Sequence, residues 1–139
     1  MIHSAIHAVR PNAACVIYTR SRAGMAVSAM RCGLLPLTQT AMRCMPIATH
    51  DYESPAVDLD ERSRLQRDLA DRRFMVLRNH GLLTTGPSAA KAFNGMYWLE
   101  MACRAQGHAG RSACWSGPAC SACWTAGTLA GATDGLRYS

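Results

Sequence analysis

The sequence predicts one domain that mixes helices with short buried strands, on three observations. The chain has 139 residues, within the roughly 100–200 residues usual for a single domain. Apolar residues make up 49% of it, enough to bury a core. Two short, continuous apolar runs, 14–19 and 74–77, stand among stretches with helical spacing.

Ile2 to Val9 has helical spacing and stops at Arg10-Pro11, because proline disfavours helix in the residue before it. His3 and His7 are four apart and share a face of that helix. Two imidazoles alone make no closed zinc site, so the pair reads as an exposed face. Residues 14–19 read as a buried strand. Ser21 then caps a helix of small residues that runs to Met30, with Gly33 as its stop. Leu34 to Met45, with Pro36 inside it and Pro46 after it, reads as extended, and Asp51 to Pro55 as a polar loop.

Asp58 with Glu61 three residues on forms a capping-box pattern at the head of the next helix. Asp60–Arg64, Arg64–Asp68 and Asp68–Arg72 are opposite charges at i, i+4, which reads as a solvated face, with Leu65 and Leu69 inward. Phe74-Met75-Val76-Leu77 reads as a strand buried on both faces. Asn79-His80-Gly81 follows, and the chain resumes as strand at Leu82 to Thr85. Pro87 opens the longest helix, Ser88 to Gln106, with Ala89, Phe93, Met96, Leu99 and Cys103 as its core residues.

From Gly107 the composition changes abruptly. Residues 107–139 hold Cys114, Cys120, Cys123, Trp115 and Trp124 among many Gly, Ala and Ser, with no apolar periodicity. A poorly ordered tail is expected, of the kind that a reading-frame change in the coding DNA would produce. Cys120 and Cys123 have the spacing of half a zinc site, but His108 and Cys114 make a poor second half. Cys15, Cys32, Cys44 and Cys103 read as small buried hydrophobes. Seven cysteines, an odd count, argue against a disulfide framework.

Charge narrows the function classes. The net charge is +6, but of 15 basic residues only Lys91 is lysine, and no basic block is interleaved with aromatics. The arginines reflect biased base composition better than a nucleic-acid surface, and no nucleic-acid partner is expected. No apolar run reaches about 18 residues, so no membrane span is expected. The start lacks a basic region followed by an apolar stretch, so the expected location is the cytoplasm. Residues 1–50 contain no Asp or Glu, so acid–base chemistry by a carboxylate must draw on Asp51 or later residues.

Three separated stretches, in order, resemble the class II aldolase/adducin family: Ile2-His3-Ser4-Ala5-Ile6-His7-Ala8-Val9-Arg10-Pro11, Arg22-Ala23-Gly24-Met25-Ala26-Val27-Ser28-Ala29, and Leu77-Arg78-Asn79-His80-Gly81-Leu82-Leu83. His50-Asp51-Tyr52 and Ala92 to Glu100 fit the same pattern. The resemblance covers residues 1–106 and implies an α/β fold. This is a three-layer α/β/α domain around a mostly antiparallel sheet, in a homo-oligomer that is a tetramer in the family. It also implies a zinc ion held by three histidines, two in a His-x-His pair at the end of the first strand here and one in the His-Gly-Leu motif. Family members cleave or epimerise small sugar phosphates, while adducins carry the fold in a cytoskeletal role.

Residues i and i+2 of a strand share a face, so paired imidazoles there reach one ion, which acts as a Lewis acid. In this chain the pair reads Tyr18-Thr19-Arg20, and His80 alone matches the metal triad. The family's catalytic Glu would fall before Met1, so no catalytic residue is assigned and the domain is expected to be incomplete at its amino terminus. No cofactor is expected here, zinc belonging to intact members, although His3 and His50 are further imidazoles to weigh. The resemblance thus implies a degenerate member without catalytic activity. The alternatives are a non-catalytic adducin-like interaction module with an actin or cytoskeletal role, or a small zinc-binding protein acting through the Cys-rich tail.

Overall fold

The computed structural model of the chain describes residues 2–10, 12–51 and 59–112. The elements in order are α1 (Ile2–Val9), β1 (Cys15–Thr19), α2 (Arg22–Ser28), α3 (Gln39–Met42), β2 (Ala48–Asp51), α4 (Leu59–Leu69), β3 (Phe74–Arg78), β4 (Gly81–Gly86) and α5 (Ala89–Ser112). The four strands form one sheet in the order β1-β4-β3-β2. β4 runs antiparallel to both neighbours, and β2 runs parallel to β3. β1, β2 and β3 therefore share a direction, and their carboxyl ends lie along one end of the sheet.

The continuous apolar run of β3 follows from its central place. Alternate side chains of a strand point to opposite faces, and both faces here are covered. Met75 and Leu77, with Val16, Leu83 and Ala48, pack against Ala5 and Ile6 of α1 and Leu65 and Leu69 of α4. Phe74 and Val76, with Leu82, pack against Val27 of α2 and Met96, Leu99, Ala102 and Cys103 of α5. The result is three layers, helix on sheet on helix. Leu69, Leu77 and Leu83 are almost wholly buried, and each contributes about 1.5–3 kcal/mol through its removal from water.

Several expectations are corrected. The segment 34–45 is not extended throughout. Thr38 Oγ1 accepts from the Ala41 amide at 3.1 Å and caps α3, a one-turn helix that the flanking prolines mask in the sequence. Ala48–Asp51 is a strand, too short to announce itself, with Ala48 and His50 inward and Thr49 and Asp51 outward. Ser21 caps α2 as its spacing implies, but the helix ends at Ser28. Gly33, at φ 60°, turns the chain further on.

α5 does not end at Gln106 but continues to Ser112. Its core face is carried by Ala92, Met96, Leu99, Ala102 and Cys103, while Phe93 is 68% exposed. Gln106 ties that helix to the loop before α3, accepting from the Leu35 amide and donating to the Gly33 carbonyl, both at 2.8 Å. Cys44 and Cys103 are buried and Cys15 is half-buried. Cys32 is half-buried and disulfide-bonded, which corrects its reading as a small buried thiol. The capping role read for Asp58, the polar loop from Tyr52 to Pro55 and the cysteine-rich tail from residue 113 lie outside the described residues.

Candidate functional site

The site begins at a tight connection. β3 ends at Arg78 and β4 begins at Gly81, so Asn79 and His80 turn the chain between paired strands. Asn79 sits at φ 57°, a conformation asparagine tolerates better than most residues. Its amide donates to the Ser28 carbonyl at 3.0 Å, and the His80 amide donates to Leu77 at 3.0 Å. A Cβ at Gly81 would lie 2.2 Å from the Thr19 carbonyl oxygen. Only glycine lets the end of β1 approach the turn this closely. Gly81 is thus a steric requirement for bringing β1 against the hairpin.

That approach gathers Tyr18, Arg20 and His80. Tyr18 pairs with Leu83 and Thr19 with Leu82. The Tyr18 and His80 rings stack with centroids 5.2 Å apart and planes 16° from parallel. Arg20 Nε donates to Tyr18 Oη, and Arg20 Nη2 lies 3.3 Å from His80 Nε2. A guanidinium has no acceptor, so this contact requires Nε2 of His80 to present its lone pair to Arg20. Burial and then the Arg20 charge hold the His80 pKa below the usual histidine value. Both causes favour the neutral ring.

A carboxylate also reaches this end of β1, through Ser21. The Ser21 hydroxyl donates to Glu100 Oε2 and accepts from the Gly24 amide at 3.0 Å. Glu100 accepts from Arg104 Nε at 3.0 Å. The i, i+4 spacing of Glu100 and Arg104 is visible in the sequence. The Ser21 contact, 79 residues apart, is not.

The remaining imidazoles lie elsewhere. His3 and His7 are exposed on α1. His50 is buried on β2, with Nδ1 2.8 Å from Asp68 Oδ2 of α4. Asp68 therefore turns inward, rather than completing the exposed charge ladder expected of α4. Among the described residues, no three His, Cys, Asp or Glu side chains come together as candidate metal ligands. His108, on α5, is exposed. The tail cysteines weighed with it lie outside the described residues.

The family profile described as Class II Aldolase and Adducin N-terminal domain matches residues 1–107. The chain belongs to the class II aldolase/adducin family. A crystal structure of an aldolase II superfamily protein from Pseudomonas syringae superposes with a TM-score of 0.78 and 46% identity, covering 85% of this chain and 46% of that one. L-fuculose 1-phosphate aldolase from Glaciozyma antarctica gives a TM-score of 0.70 at 30% identity, covering 81% and 43%. Rat alpha-adducin is 42% identical over 106 residues, or 76% of this chain and 14% of that protein. The chain thus spans less than half the length of each of these class II aldolase/adducin relatives. No helix among the described residues is long and apolar enough to cross a membrane.

Proposed function

We propose that this is a class II aldolase-like domain without metal-dependent catalysis, in which Arg20 stands where the family's divalent cation would sit. The observation that carries the reading is the 3.3 Å contact between Arg20 Nη2 and His80 Nε2. The imidazole nitrogen that would face a zinc ion faces a guanidinium N–H instead. Catalytic zinc sites use three protein ligands as a rule, and here Tyr18 and Arg20 occupy the two positions that the resemblance assigns to histidines. A guanidinium keeps its proton throughout the accessible pH range. It adds positive charge where a dication would have to bind. The residues present do not fit zinc.

The nearby carboxylate supports the same reading. Glu100 is engaged by Ser21 and Arg104, which leaves it poorly suited to shuttle a proton. The test is turnover of L-fuculose 1-phosphate, the substrate in the name of one relative, with and without added zinc. No zinc-stimulated cleavage is expected. Zinc-dependent turnover that disappears in His80→Ala would overturn the proposal.

A second reading, a non-catalytic interaction module that self-associates, is favoured by one feature. Phe93, Tyr97 and Met101 recur every four residues on α5 and are 68%, 50% and 38% exposed. Such an apolar stripe marks contact surfaces more often than solvated ones. Under this reading the chain forms a homo-oligomer that Phe93→Glu dissociates, as measured by light scattering. A monomeric wild-type chain would exclude it.

A further inference from the structure

α1 carries two imidazoles that the rest of the fold leaves to solvent. One side of this helix faces the sheet. There Ala5 and Ile6 are almost wholly buried, in one apolar layer with Leu65, Leu69 and Met75. His3 and His7 lie on the other side, and both are exposed. Among the described residues, neither ring is engaged by a hydrogen bond or an ion pair. Residues four apart on a helix have Cβ atoms about 5–6 Å apart. Helical side chains lean toward the amino end, which carries the ring at i+4 over the ring at i. Two imidazole nitrogens at this spacing reach one ion between them, as the paired histidines of helical zinc motifs do.

Packing prepares the pair. Gln66 Nε2 of α4 donates to the Ala5 carbonyl at 2.6 Å, and the Arg10 amide donates to the Ile6 carbonyl at 3.1 Å. The backbone that spaces the rings is thus fixed before an ion arrives, and only side-chain torsions remain to be ordered. The donor set selects the ion. Residues 1–50 contain no Asp or Glu, so α1 offers ring nitrogen and no carboxylate oxygen. Imidazole suits zinc, copper and nickel, whereas magnesium and calcium take oxygen ligands. Arg62 Nη2 of α4 donates to Ser4 Oγ at 2.8 Å, beside the pair. Its charge opposes a dication, which makes this a site that exchanges its ion with solution.

We propose that His3 and His7 form an open chelate for one divalent transition-metal ion of the zinc, copper and nickel class. The chain supplies two ligands, and water completes the coordination. The site shares no residue with the Tyr18–Arg20–His80 cluster and holds whether or not that cluster takes a metal.

The test is a titration of the full chain with zinc chloride, followed through the ring resonances of His3 and His7. Both sets should shift together and saturate, and magnesium chloride at the same concentrations should leave them in place. A chelate makes each ring's response depend on the other. His3→Ala should therefore remove the His7 shift at zinc concentrations that saturate the wild type, and His7→Ala the His3 shift. Each variant should bind roughly a hundredfold more weakly, because the second contact is no longer made within one chain. The double variant His7→Ala, Ala8→His keeps two imidazoles but sets them five apart, on different faces of the helix, and should lose affinity equally. All of these positions are exposed, and circular dichroism verifies that each variant folds. Should one fail to fold, the others and the wild-type titration still decide. No saturable shift in the wild type, a shift that magnesium reproduces, or wild-type affinity in a folded variant would overturn the proposal.

Discussion

Gly81→Ala tests how the candidate site is assembled. A Cβ at residue 81 would lie 2.2 Å from the Thr19 carbonyl oxygen, a backbone atom that no rotamer change can move. The residue also has φ 156°. Relief requires the end of β1 to retreat from β4, which loosens the Thr19–Leu82 pairing. Overpacking costs about 1–3 kcal/mol and a left-handed φ in an L-residue about 1–2 kcal/mol. The expected loss is therefore roughly 2–5 kcal/mol, a large part of the about 5–15 kcal/mol available to a domain. Gly33→Ala is the control, because it has φ 60° but nothing within 4 Å of the new Cβ. It should lose only the conformational part. Urea unfolding followed by circular dichroism measures both, read as a fall in midpoint at constant slope. Equal midpoints for Gly81→Ala and wild type would refute the close approach of β1 to the hairpin, and with it the gathering of Tyr18 and Arg20 onto His80.

Two further outcomes follow from the ionisable groups. His80 should titrate below the ordinary histidine value, and Arg20→Gln should raise its pKa by removing the charge while leaving the burial. Between the folded and unfolded values the unfolded ring binds more protons, so stability rises with pH in that window. This contribution is fully present above about 6.5 and is lost as pH falls through the lowered folded value. Arg20→Gln should flatten that slope, as ring-proton NMR and unfolding at several pH values would reveal. An unchanged His80 titration would remove Arg20 from its surroundings. Burial pushes the Cys44 thiol up to about 11 and the Cys103 thiol up to about 12. Both should react with a disulfide reagent at pH 8 far more slowly than half-buried Cys15, and comparable rates in mass-resolved labelling would contradict the packing.

Much of the fold is legible in the residues because its signals are local. α1 is bounded by Pro11, α2 by the Ser21 cap, and β3 by an apolar run that makes sense only with both faces covered. What escapes is decided by tertiary contact. β2 is four residues long, and its last residue, Asp51, reads as the start of a polar loop until a parallel neighbour pairs with it. Asp68 sits at ladder spacing on α4, yet buried His50 offers it a stronger partner than an exposed arginine does. Phe93 looks like a core residue by its chemistry, but it lies one position from Ala92, which faces the sheet. At the candidate site, the replacement of a histidine pair by Tyr18 and Arg20 is visible in the sequence. That Arg20 reaches the nitrogen of His80, and that Tyr18 stacks on its ring, depends on a hairpin geometry that only the folded chain displays.

The most direct measurement is a cobalt(II) titration monitored by visible absorption, run on the wild-type chain and on the Tyr18→His, Arg20→His double variant. If the guanidinium excludes the ion, the wild type develops no tetrahedral cobalt band, whereas the double variant, with three imidazoles around one point, gains a band that zinc competes away. One equivalent of cobalt taken up by the wild type through His80, and lost in His80→Ala, would show that Arg20 does not hold that position.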